Sequence, residues 1–281
     1  MAPEPTPFSA HSDGVTLSGE RSGEGTPVVL LHGLTATRRY VVMGSRTLER
    51  SGHRVIAYDA RGHGRSTPAP APDAYGYERL AADLEAVLDA HGLERAVLAG
   101  ASMGAHTAVR FALEHPGRVA ALALITPSFE PSPAIGPGEL SHWGALADGL
   151  RNGGVEGFVG AYELASLPEA WRETVERVLR QRLCAHEHPE AVADALEAVP
   201  RSRPFEAMDQ LAAIDTPTLV IASRDEADPG HPLAVAERYA HAIGPATLLV
   251  EDAGAPARSP LAWQGGQLSK ALAQLASSAL L

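Results

Sequence analysis

Hydrophobic positions along this chain fall into two recurring patterns. Val28-Val-Leu-Leu31, Val55-Ile-Ala-Tyr58, Ala96 to Ala99 and Val119 to Ile125 are short, unbroken apolar runs. Their length and lack of polar alternation predict strands buried on both faces. Between them lie stretches with helical spacing at 38–51, Tyr75 to His91 and the run after Ser102, where Ala105, Ala108, Val109, Ala112 and Leu113 share one face. Such alternation predicts an α/β sheet, mostly parallel. Ahead of it, two short alternating segments from Phe8 to Arg21 flank Ser12-Asp13-Gly14 and predict an edge hairpin.

The alternation stops after residue 126. Prolines and glycines crowd 127–140, and from about His142 to Met208 the periodicity is helical throughout, over 143–151, 155–166, 168–184 and 189–198. With no strand between these helices, the segment reads as an inserted lid. A strand at Thr218 to Ala222, a helix from Pro232 to Ile243, a strand from Ala246 to Glu251 and a last helix over Leu268 to Leu280 resume the first pattern. The expected division is a core of residues 1–126 and 211–281 and a cap of 127–210.

Composition narrows the setting. A chain of 281 residues can bury one large core, and 45% hydrophobic with 20% charged residues is an ordinary globular balance. The formal net charge of −11 argues against nucleic acid as a partner, because phosphate binding needs clustered cations. Cys184 is the single cysteine, so no intrachain disulfide can form, which fits the cytoplasm. No apolar run has the length of a membrane span, and the Pro-rich N-terminus lacks the basic and apolar regions of a signal peptide. Oligomeric state is not legible.

One stretch carries chemistry. Gly100-Ala-Ser102-Met-Gly104 is a G-x-S-x-G pentapeptide between a predicted strand and a predicted helix, the context that this motif needs. A sharp reversal there puts the serine hydroxyl in the open at the positive end of a helix, with the Met103 N–H facing any oxyanion on a substrate. Glycines on both sides remove Cβ atoms that would collide with the turn.

Taken together, four segments resemble the α/β-hydrolase superfamily over nearly the whole chain. Val28 to Gly33 is similar to its strand and oxyanion loop, and Tyr58-Asp-Ala-Arg-Gly-His-Gly-Arg-Ser66 to its D-x-R-G-x-G-x-S turn. Gly100 to Gly104 is similar to the nucleophile elbow, and Pro217 to Ala222 to the strand that delivers the triad acid. The resemblance implies an eight-stranded, mostly parallel sheet with a helical cap after the sixth strand. It implies Ser102 as nucleophile, an oxyanion hole from the N–H groups of Leu34 and Met103, and no cofactor. The acid is expected at Asp225, with Asp228 as the alternative. A small apolar ester or related acyl compound is the expected substrate; a serine nucleophile argues against epoxide hydrolysis and dehalogenation. His32 is expected to be buried and to shape its loop, Gly33 to let the backbone approach closely, Asp59 and Arg61 to pin their turn, and His63 to face solvent. Trp143, Trp171, Tyr162 and Phe158 are candidates for an acyl pocket or for lid core, Cys184 for packing. The His186–His188 pair reads as a helix end rather than a metal cluster.

The pattern fails at one position. The family's base is a histidine after the last strand, in a context like Glu-Asp-Ala-Gly-His. Here Glu251-Asp-Ala-Gly254 is followed by Ala255, and no histidine follows His241. Without an imidazole a serine hydroxyl has no obvious proton acceptor. Three accounts fit. Another histidine has moved into the role, with His231 in Asp228-Pro-Gly-His231 the best nominee and His106 and His142 weaker ones. Alternatively the fold does non-hydrolytic or ligand-binding work, or Ala255 is an engineered replacement.

Overall fold

The computed structural model describes residues 4–131, 137–224, 228–251 and 260–279. Eight strands form one sheet in the order β1-β2-β4-β3-β5-β6-β7-β8. These are β1 (Thr6–Ser12), β2 (Val15–Ser22), β3 (Thr26–Leu31), β4 (His53–Tyr58), β5 (Ala96–Ala101), β6 (Val119–Ile125), β7 (Thr218–Ala222) and β8 (Ala246–Val250). The β1–β2 hairpin is antiparallel and joins β4 antiparallel; every other neighbouring pair is parallel. All seven residues of β6 are buried, as its unbroken apolar run requires of a strand covered on both faces.

Helices cover both faces. They are α1 (Thr47–Arg50), α2 (Tyr77–Ala90), α3 (Met103–Glu114), α4 (Pro137–Ala161), α5 (Glu169–Leu183), α6 (Pro189–Arg201), α7 (Leu233–Ala242) and α8 (Gly265–Ser278). α4, α5 and α6 follow one another between β6 and β7 with no strand among the described residues. Leu146, Phe158, Leu179, Val192 and Leu196 of these helices share an apolar cluster with Leu34, Tyr77, Leu80 and Met103, so the insertion packs onto the C-terminal ends of the strands.

Some expected boundaries differ. The helix expected over 38–51 is a 3₁₀ turn at Arg38–Tyr40 and the single turn of α1. Met43 and Gly44 between them have φ of 50° and 72°, which an α-helix cannot contain. Val41 and Val42 supply the apolar spacing by being buried in a non-helical segment. α4 merges two expected helices across a break at Gly154, φ 59°. α8 starts at Gly265, three residues before the expected start at Leu268. No helix among the described residues is long and apolar enough to cross a membrane.

Candidate active site

Ser102 sits between β5 and α3 with φ 50° and ψ −114°, a region that L-residues rarely occupy. The flanking glycines show why the turn closes. A Cβ on Gly100 would lie 2.1 Å from the Gly104 carbonyl oxygen, and one on Gly104 would lie 2.2 Å from that of Leu31. Either contact is impossible, so both positions exclude side chains and the serine takes the strained apex. Gly33 differs from its expected role: a Cβ there would make ordinary contacts, at 3.5 Å, with Ala101 O and Ser102 Cβ.

The Ser102 Oγ is 2.9 Å from His231 Nε2. On the other side of the ring, Nδ1 is 2.9 Å from Asp228 Oδ1. With Nδ1–H donating to the carboxylate, Nε2 keeps its lone pair for the serine proton. Burial pushes the Asp228 carboxyl up, but the adjacent His231 ring and the Arg182 guanidinium outweigh it and hold it below the usual range. Burial pulls His231 down, Asp228 more than restores it, and the imidazole ends above its ordinary value. Arg182 opposes that rise.

Among the described residues the carboxylate beside His231 is Asp228, the expected alternative; the preferred Asp225, like Ala255, lies outside the described residues. His106 does not serve Ser102. Its Nε2 accepts the N–H groups of Ser128 and Phe129, both at 3.0 Å, and its Nδ1 faces the Tyr77 hydroxyl at 3.0 Å. His142 packs edge-on against Trp143.

Ser102, Leu34 and Met103 line one cavity of about 150 Å³, with Phe129, Trp143 and Val199 among its apolar walls. Met103 opens α3, where the first N–H groups have no partner inside the helix. The Leu34 N–H belongs to the same peptide as the Gly33 carbonyl, which accepts from His32 Nδ1–H at 2.8 Å and from Ala36 N–H at 2.9 Å. Because the peptide is planar and trans, those two bonds aim the Leu34 N–H the opposite way.

The same loop is held at its next two carbonyls. Leu34 O lies 2.5 Å from His63 Nε2, and Thr35 O lies 3.2 Å from His186 Nε2. His32, His63 and His186 form a row with ring centroids 5.2 and 5.5 Å apart. His32 is buried and shapes its loop: Nε2 accepts from Ala60 N–H at 2.9 Å, which places its proton on Nδ1. His63, expected at the surface, is fully buried (0% exposed), because its two nitrogens face the Arg61 and Leu34 carbonyls. His186 Nδ1 accepts from Gly64 N–H at 2.8 Å, so this residue after α5 ties the insertion both to the turn around Gly64 and to the Leu34–Thr35 segment. The sequence offered no sign of that pairing across 151 residues.

Asp59 does pin its turn, accepting from Arg38 N–H at 2.9 Å and Arg65 N–H at 3.2 Å. Arg61 instead forms a buried two-point pair with Asp83 of α2, at 2.8 and 2.7 Å. Trp143 reaches the cavity, whereas Phe158 is lid core and Trp171 packs edge-on against Trp263. Cys184 is exposed, not packed. Arg182 was missed entirely: it lines a hollow of about 60 Å³ behind Ser102 with Asp228 and Tyr40, and its Nε has no hydrogen-bond partner among the described residues.

Residues 26–158 match the family model described as the alpha/beta hydrolase fold. RutD of Variovorax paradoxus (strain S110), whose name marks it a candidate carbamate hydrolase, is 32% identical over 209 residues, covering 73% of this chain and 75% of that protein. The 2-hydroxy-6-oxononadienedioate/2-hydroxy-6-oxononatrienedioate hydrolase 2 of Pseudomonas putida is 33% identical over 220 residues, covering 73% of each. Among solved structures, a thermophilic esterase from Thermogutta terrifontis superposes with a TM-score of 0.76 at 27% identity over 97% of both chains. With an eight-stranded sheet, a strained serine at its elbow and relatives named as hydrolases, the chain belongs to the α/β-hydrolase superfamily.

Proposed function

We propose that this protein is a serine hydrolase acting on a carboxylic ester or a related acyl substrate such as a lactone or carbamate. The observation that carries the reading is the pair of 2.9 Å contacts linking Ser102, His231 and Asp228. In this reading Ser102 Oγ attacks the carbonyl carbon as its proton passes to His231 Nε2. The N–H groups of Leu34 and Met103 hold the oxygen that becomes negative. Collapse expels the leaving group, which takes the proton from His231. A water, deprotonated by the same imidazole, then attacks the acyl-serine and releases the acid. Asp228 keeps the imidazole in the required tautomer and stabilises its charged form. The α4–α6 insertion acts as the cap over the acyl cavity.

A non-hydrolytic role drew its support from the missing histidine after β8, and an imidazole within reach of Ser102 removes that support. The test is covalent labelling with a fluorophosphonate probe. Rapid labelling of the parent, lost in Ser102→Ala and reduced at least about 10³-fold in His231→Ala, is expected. No labelling of the parent overturns the reading; labelling that survives His231→Ala overturns the assignment of the base.

A further inference from the structure

Tyr77, the first residue of α2, lines the same cavity as Ser102 and is 5% exposed. Its hydroxyl has one hydrogen-bond partner among the described residues, His106 Nδ1 at 3.0 Å. The direction of that bond follows from the far side of the ring. Two backbone N–H groups, of Ser128 and Phe129, point at His106 Nε2 from 3.0 Å each. A nitrogen approached by two donors must present its lone pair, so the ring proton sits on Nδ1. Burial, with the charge of His231 adding to it, pushes this histidine down to about 3, which keeps the ring neutral. Nδ1–H therefore donates, and Tyr77 Oη accepts.

Its own proton is then left over. Burial pushes the phenol well above its ordinary value, so the O–H stays intact. Two polar side chains on the cavity wall, Ser202 and Glu130, are committed elsewhere. Ser202 Oγ donates to Val199 O and accepts from Tyr77 N–H, and Glu130 pairs with Arg238. A buried donor without an acceptor is unfavourable, and here it borders the space where a substrate would lie.

We propose that the Tyr77 O–H, oriented by His106, is a recognition donor that selects acyl substrates carrying a second acceptor oxygen next to the scissile carbonyl. The inference rests on the serine-hydrolase reading and names the substrate class of that site. An ether, hydroxyl or keto oxygen on the acyl chain fits; a plain alkyl chain leaves the donor unmatched.

p-Nitrophenyl methoxyacetate and p-nitrophenyl butyrate test this, because they differ by one oxygen in place of one methylene. In the parent, the methoxyacetate-to-butyrate ratio of kcat/KM is expected to exceed the ratio for hydroxide-catalysed hydrolysis of the same two esters. Tyr77→Phe, which removes only the hydroxyl, is expected to lower the enzymatic ratio about tenfold. Equal ratios in parent and variant overturn the proposal. If Tyr77→Phe does not fold, the parent ratio alone decides, and a value at or below the hydroxide ratio overturns it. Fluorophosphonate labelling of Ser102 runs alongside. Labelling with no oxygen preference sinks the Tyr77 inference alone. Neither labelling nor hydrolysis in the parent sinks the hydrolase reading and the inference with it.

Discussion

Asp228 and His231 are the two ends of one turn. The His231 backbone N–H donates to the Asp228 carbonyl at 3.1 Å, while their side chains meet at 2.9 Å between Nδ1 and Oδ1. In the proposed mechanism acid and base come from this single tetrapeptide between β7 and α7, instead of from two loops. Pro229 pre-sets one backbone angle of this turn, and Pro232 occupies the position just before α7. With His231 as the proposed base, no histidine is needed after β8.

Replacing Asp228 by Asn keeps the shape and inverts the hydrogen bond, presenting a donor to Nδ1 and forcing the wrong tautomer. A fall in kcat of about 10⁴-fold is expected. Asp225→Asn serves as the comparison and is expected to stay within a few-fold of the parent. Steady-state rates on p-nitrophenyl butyrate check both, and the reverse ranking would assign the acid to Asp225.

The pH profile follows from the directions of the shifts. His231 must be neutral to accept the serine proton, and Asp228 raises its pKa above the ordinary value near 6.5. The rising limb of kcat/KM is therefore expected above pH 6.5. Arg182 lowers the pKa values of both His231 and Asp228. Removing its charge in Arg182→Met should move the limb to higher pH, so the variant loses most at neutral pH and recovers in alkali. A limb that stays in place would separate Arg182 from the electrostatics of the pair.

His186 holds the carbonyl of Thr35, next to the proposed oxyanion donor Leu34. His186→Ala removes both the contact to Thr35 O and the acceptor for Gly64 N–H. A drop in kcat of roughly tenfold with little change in KM is expected, since a loosened loop weakens oxyanion binding more than ground-state binding. His186→Asn offers one acceptor and one donor and should recover part of the loss. Equal damage in both variants, or a change confined to KM, would leave His186 a packing residue.

Four buried histidines should make the fold acid-sensitive. Burial, first among the causes, lowers the pKa of His32, His63, His106 and His186, the last two to about 3. Between these lowered values and about 6.5 the unfolded chain binds the protons and the folded chain does not. Stability is therefore full above about pH 6.5 and falls with decreasing pH, by at most about 1.4 kcal/mol per pH unit for each group. Urea unfolding at pH 7.5, 6 and 5 measures the slope. Replacing His106 by Gln should flatten it, and an unchanged slope would contradict the assignment.

The sequence alone determined the sheet, the serine elbow and the helical insertion, because each rests on local rules. Unbroken apolar runs make buried strands, and Gly100 and Gly104 are demanded by contacts within a few residues or with the adjacent strand. His231 was also nominated from sequence, but only as the best of several histidines. Tertiary structure decided what depends on distance in space. It brought His231 to Ser102 across 129 positions and set Asp228 on its far side. It buried His63, which lies between two glycines and looked solvent-facing, by closing the Leu34 and Arg61 carbonyls around it. His186, Arg182 and Tyr77 were invisible for the same reason. Their significance lies in partners from other elements, and no spacing along the chain encodes which carbonyl, carboxylate or ring nitrogen a side chain will meet.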